Sequence, residues 1–123
     1  MCLGIVTHDE MYQYLLLDEN KLGWFTQHCL YHVQKLPQPY YAFNTNFERQ
    51  WFHHGEWIEL NYHPQKGINK WRTVFLRGLF DPYKGDGKQC LDAWERHTPK
   101  DLRNISDHNW HCLHSELALM VRL

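Results

Sequence analysis

Residues 40–80 read YYAFNTNFERQWFHHGEWIELNYHPQKGINKWRTVFLRGLF, and the expected fold turns on this stretch. It holds eleven of the nineteen aromatic residues in one third of the chain. Aromatic side chains carry the largest apolar area per residue, so a core is expected where they cluster. Two apolar runs flank His54-Gly55. With that dipeptide as a hairpin turn, and glycine supplying the positive φ, Phe52 faces Trp57 and Trp51 faces Ile58. Alternation across the strands then places Phe47, Trp51, Ile58, Leu60 and Tyr62 on one face. Glu48, Gln50, Glu59 and Asn61 fall on the other, with the pair Phe52–Trp57 beside the turn. That pattern predicts an antiparallel hairpin, apolar within and polar without. A second turn is expected at residues 63–67, and Trp71–Arg77 reads as a third, inner strand closed by Asp81-Pro82.

Outward from this centre, helices are expected on both sides. Met1–Val6 is short and apolar and reads as an edge strand. Thr7 with Glu10 fits a capping box, which predicts a helix to about Asp18 with Met11, Tyr14, Leu15 and Leu17 or Leu16 buried. A second helix is expected over about Leu22–Lys35, because Leu22, Phe25, Cys29, Val33 and Leu36 recur every three to four residues until Pro37 and Pro39 stop it. Gln89–His97 reads as a short helix with Cys90, Leu91 and Trp94 buried. Thr98-Pro99 opens another, and Ser106 or Asp107 caps a last segment, helical to about Leu119. The fold class expected is α+β in a single domain. An antiparallel sheet of about three to five strands, centred on residues 40–80, packs against N-terminal and C-terminal helices.

Composition narrows the function classes. At 123 residues the chain is long enough to bury one core. No run of about 18 apolar residues is present, so no membrane span is expected. The opening MCLGIVTHDE has no basic segment followed by an apolar one, which argues against a secretory signal and for a cytoplasmic location. The cysteines at 2, 29, 90 and 112 are widely spaced and are expected as thiols. Net charge is −1, unevenly laid out. Residues 1–65 hold Lys21, Lys35 and Arg49 against seven acids, whereas residues 66–103 hold nine basic residues against five acids. Such an acidic region beside a basic one suits a protein partner.

Ten histidines are many for this length. Gln27-His28-Cys29-Leu30-Tyr31-His32 and His108-Asn109-Trp110-His111-Cys112-Leu113-His114 share a local pattern. On a helix His28 and His32 lie one turn apart, as do His108 with His111 or Cys112. Ligands at i, i+3 or i, i+4 are how a helix presents a zinc site, so His28, His32, His108, His111 and Cys112 are the candidate metal ligands. Against this, no Cys-x-x-Cys or His-Glu-x-x-His occurs, and Cys29 falls on the apolar stripe.

Two short resemblances add to this. His53-His54 beside Glu56 resembles the double-histidine start of small metal-dependent nucleases, over that dipeptide alone. Met1-Cys2-Leu3-Gly4-Ile5-Val6 resembles the Met-Cys-Gly-Ile opening of class II glutamine amidotransferases, with Leu3 inserted. That resemblance implies Cys2 as an N-terminal nucleophile.

The function expected is a small cytosolic interaction protein that binds and blocks another protein, of the inhibitor kind that phages and mobile elements encode. Its binding surface is expected at Phe52, Trp57, Glu48, Glu59, Arg72 and Arg77, because aromatic residues on a polar face mark interface hot spots. No cofactor is required. The alternatives are a zinc-dependent nuclease or hydrolase built on the histidine groups, and a single-stranded nucleic-acid binder. The latter would use Arg72, Arg77, Lys84, Lys88, Lys100 and Arg103 with Trp71 and Tyr83.

Overall fold

A computed structural model describes residues 1–7, 9–42, 45–60 and 80–121. It is a mixed helix and strand structure. The described strands form two sheets of two strands each. β1 (Cys2–Val6) and β2 (Met11–Leu15) pair antiparallel, with Cys2 opposite Leu15, Gly4 opposite Gln13 and Val6 opposite Met11. The expected helix after Thr7 is therefore a strand. Thr7 and Glu10 do bond to each other, but across a turn. The Thr7 amide donates to the Glu10 carbonyl at 2.9 Å, and the Glu10 amide donates to Thr7 Oγ1 at 3.1 Å. A threonine that can satisfy a helix amide can satisfy a turn amide equally well, and pairing with β1 decides between them.

The pleat of this hairpin separates two layers. Leu3, Ile5, Tyr12 and Tyr14 face α1 (Leu22–Gln34), packing with its buried Phe25, Cys29 and Val33. Cys2, Gly4, Gln13 and Leu15 face the other way, toward α3 (Gln89–Arg96) and α4 (Pro99–Val121). A β-carbon on Gly4 would collide with Leu113 and Asn109, so the absence of a side chain there lets α4 lie directly on β1. Gln13 Nε2 donates to the Ser106 carbonyl at 2.8 Å and to Asn109 Oδ1 at 2.9 Å, and Trp94 Nε1 donates to the Leu16 carbonyl at 3.0 Å. Each fully buried Leu-, Val- or Phe-sized side chain contributes roughly 1.5–3 kcal/mol to this packing.

α1 forms where its apolar period predicts. A 3-10 turn (Glu19–Lys21) leads into it, capped by Asp18 Oδ1, which accepts from the Asn20 amide at 3.0 Å. α3 ends at His97, in the left-handed region at φ 59°, and α4 begins at Pro99. Thr98 caps it: the Asp101 amide donates to Thr98 Oγ1 at 3.1 Å, and the Thr98 hydroxyl donates to Asp101 Oδ2 at 2.7 Å. No break occurs at Ser106 or Asp107, and one helix runs through to Val121. Within α3 the buried residue is Ala93, while Leu91 is exposed.

The central stretch departs most from expectation. β3 (Tyr40–Ala42) and β4 (Trp57–Glu59) pair in parallel, Tyr40 opposite Trp57 and Ala42 opposite Glu59. Between them α2 (Thr45–Arg49) replaces the first arm of the expected hairpin. A parallel pair needs a crossover, and α2 lies within it. Gly55 does take a positive φ of 89°, but it turns the chain against the ring of Tyr40 and closes no hairpin. The expected antiparallel sheet of three to five strands is thus absent among the described residues. Trp71–Arg77, its expected third strand, lies outside them.

Candidate functional site

Two regions of the described chain combine chemistry with access. The first is the outer flank of α1. Trp24, His28, Tyr31 and Lys35 succeed one another at four, three and four residues, so they share one side of the helix. Trp24 is 66% exposed and Tyr31 61%. Trp24 stacks on the His28 ring, 5.2 Å between centroids and 13° between planes. His28 meets the edge of Tyr14 from β2, the Tyr14 hydroxyl sits 2.7 Å from His32 Nδ1, and His32 meets the edge of Tyr12. Lys35 Nζ donates to the Tyr31 hydroxyl at 2.7 Å, a bond that lowers the phenol's pKa.

The second region surrounds Asp81, a residue absent from every candidate set read from the sequence. Its side chain is fully buried, and its carboxylate accepts from the amides of Tyr83 at 2.9 Å and Gly85 at 2.7 Å. His108 Nδ1 lies 2.9 and 3.1 Å from its two oxygens, and His111 Nδ1 lies 3.8 Å from Oδ2. Burial raises the pKa of this carboxyl, but the Tyr83 amide, His108 and the Gly85 amide outweigh it and hold the group below its ordinary value. An ionised carboxylate only accepts, so Nδ1 of His108 carries a proton. On the other side of the ring, Nε2 lies 3.7 Å from Cys112 Sγ, one helical turn along α4. Burial lowers the His108 pKa, but Cys112 and Asp81 together overcome that and push it up to about 9.

Burial pushes Cys2 up to about 12, Cys29 to about 11 and Cys90 to about 11, the last with a further rise from the neighbouring Cys112 and Asp81. All four cysteines are free. A Cys2 thiol raised this far is the opposite of the activated nucleophile implied by the amidotransferase resemblance.

The candidate metal ligands divide between these regions. His28 and His32 sit among rings on α1, whereas His108, His111 and Cys112 gather at Asp81 on α4. Among the described residues no group of three or more His, Cys, Asp or Glu side chains is arranged to hold a metal ion. His108 gives one ring nitrogen to Asp81 and turns the other to Cys112, leaving no lone pair directed at a metal.

The expected binding surface is redistributed as well. Phe52 is 6% exposed and belongs to the core with Ile5, Phe25 and Tyr40, which corrects its assignment to a polar face. It turns inward because the bend after α2 reverses the chain: the Trp51 and Phe52 amides both donate to the Glu48 carbonyl. Trp57 is half-buried against Tyr40, with ring centroids 5.1 Å apart. Glu59 is exposed and accepts from the Thr45 hydroxyl at 2.9 Å. A cleft of about 420 Å³ lies nearby, lined by Arg49, His53, Gly55, Glu56 and Trp57, well apart in sequence from the Asp81 centre. Arg72 and Arg77 lie outside the described residues. Of the nucleic-acid set, Lys84, Lys88, Lys100 and Arg103 are exposed, but Tyr83 is buried in the core and offers no face for a base.

Comparison with family models, with curated proteins and with solved structures finds no match to this chain.

Proposed function

We propose that this chain is a protein-binding domain of the inhibitor type, which acts by covering a partner's surface with the outer flank of α1. The observation that carries this reading is the exposure of Trp24 and Tyr31 on one flank, held by His28 and Lys35 in fixed contacts. Tryptophan and tyrosine supply large contact area with few rotatable bonds, and they dominate interface energetics. Residues 22–34 contain no acidic side chain, and Lys21 and Lys35 stand at the two ends. An aromatic face bounded by cations suits a partner segment that combines acidic and apolar side chains.

The test is quantitative affinity purification from extract of the source cells, comparing wild type with Trp24→Ala, Tyr31→Ala and Trp110→Ala. Trp110 is an exposed tryptophan on α4 and serves as the surface control. A partner recovered by wild type and by Trp110→Ala is expected to fall about 30-fold in affinity with Trp24→Ala, the effect of losing roughly 2 kcal/mol at a hot spot. Thermal stability is expected to change little, since substitutions at such exposed positions usually cost about 0.5 kcal/mol or less. Equal recovery by all four proteins would overturn the assignment. Native mass spectrometry of the purified chain distinguishes a second copy of itself as the occupant.

A further inference from the structure

The Asp81 centre lies apart from the α1 flank and plays no part in the reading above. Its three groups stand in the order that activates a thiol: a carboxylate orients an imidazole, and the imidazole faces a sulfur. Asp81 fixes the proton on His108 Nδ1 through contacts of 2.9 and 3.1 Å, and its own position is fixed by two backbone amides. His108 Nε2 then faces Cys112 Sγ at 3.7 Å, and both residues are half-buried. The neighbouring titratable groups include His111 of α4 beside Asp81, Tyr83 with its ring 5.7 Å from that of His108, Cys2 on β1 and Cys90 on α3.

We propose that Asp81, His108 and Cys112 form a modification site in which Cys112, attacking as its thiolate, takes soft carbon electrophiles. With an α,β-unsaturated carbonyl compound, the sulfur electron pair forms a bond to the β-carbon and the carbon–carbon π pair moves toward the carbonyl. The imidazolium of His108 then gives its Nε2 proton to the α-carbon. The product is a thioether beside a neutral His108, with no atom lost and no oxidant consumed. Asp81 is the positioning residue here, His108 gives the proton, and Cys112 forms the new bond.

The chain contains its own controls, because Cys2, Cys29 and Cys90 are free thiols raised well above the ordinary range. The experiment is pseudo-first-order labelling of the full native chain by iodoacetamide at pH 7, with each cysteine followed by peptide mass spectrometry. Cys112 is expected to react about tenfold or more faster than each of the other three, since the His108 imidazole facing its sulfur can stabilise the attacking thiolate. His108→Gln is expected to bring Cys112 down to the rate of the others while leaving theirs unchanged. Denaturing the wild-type chain in urea is expected to abolish the difference among the four. A Cys112 rate equal to or below that of the other native thiols overturns the proposal. So does an unchanged Cys112 rate in a His108→Gln variant that keeps its native circular dichroism. If that variant fails to fold, the comparison of four thiols within the wild-type chain decides alone.

Discussion

The two histidine groups look alike in sequence and end in different chemistry. On α1, His28 and His32 are ring-shaped packing partners: one lies between Trp24 and Tyr14, the other between Tyr14 and Tyr12. On α4, His108 and His111 turn toward a buried carboxylate. What separates them is a residue 27 positions earlier in the chain, Asp81, which the loop after residue 80 places against α4. An imidazole takes its role from what it meets. Beside aromatic faces it supplies area and edge contacts, and beside an ionised carboxylate it becomes a cation.

This contrast can be broken first at Asp81. Replacing it with alanine removes the anion, strands the amides of Tyr83 and Gly85, and leaves a cationic His108 half-buried with one partner fewer. Removing one member of a buried ion pair costs about 3–5 kcal/mol. Asp81→Ala is expected to lower stability by about that much in urea unfolding, with a loss under 1 kcal/mol contradicting the account of the centre.

A pH series sharpens it next. The His108 pKa is raised from 6.5 to about 9, so its contribution is complete below pH 6.5 and is lost as pH rises through about 9. The Asp81 pKa is lowered from 3.8, so its contribution is complete above that pH and is lost as pH falls below it. Stability from this pair is therefore greatest between about pH 4 and 6.5. Urea unfolding of wild type is expected to show a decline in stability between pH 6.5 and 9 that His108→Gln lacks. Equal profiles would mean that another group titrates.

The smallest effect is expected on α1. Tyr14→Phe removes the hydroxyl 2.7 Å from His32 Nδ1 and keeps the ring against His28. The expected cost is about 0.5–1.5 kcal/mol by thermal unfolding, the net value of one partly buried hydrogen bond. A cost near that of Asp81→Ala would erase the distinction between a packing group and a charged one.

Elements whose signals are local were legible before any fold was known. α1 follows from apolar residues at three- and four-residue spacing and from the prolines beyond it. The start of α4 follows from Thr98-Pro99, because a hydroxyl cap and a proline at the first helical position act within one turn. β1 was legible as a short apolar strand. The same local signals misled where two elements could satisfy them. Thr7 and Glu10 bond as a pair in a turn as readily as in a cap, and their neighbour β1 chose the turn. Residues 45–49 fit an alternating strand and a short helix alike, until parallel pairing of Tyr40–Ala42 with Trp57–Glu59 required a crossover between them.

Of the candidate sites, the sequence by itself determined which residue types were available: histidines one turn apart, a cysteine beside them, and aromatic residues spaced along a helix. It determined the flank shared by Trp24, His28, Tyr31 and Lys35, because helical periodicity alone sets it. Only the tertiary structure decided that Phe52 goes inward, that Trp24 stays outside, and that Asp81 meets His108. The physical reason is that burial and charge pairing depend on which surfaces touch, and those contacts join residues far apart along the chain.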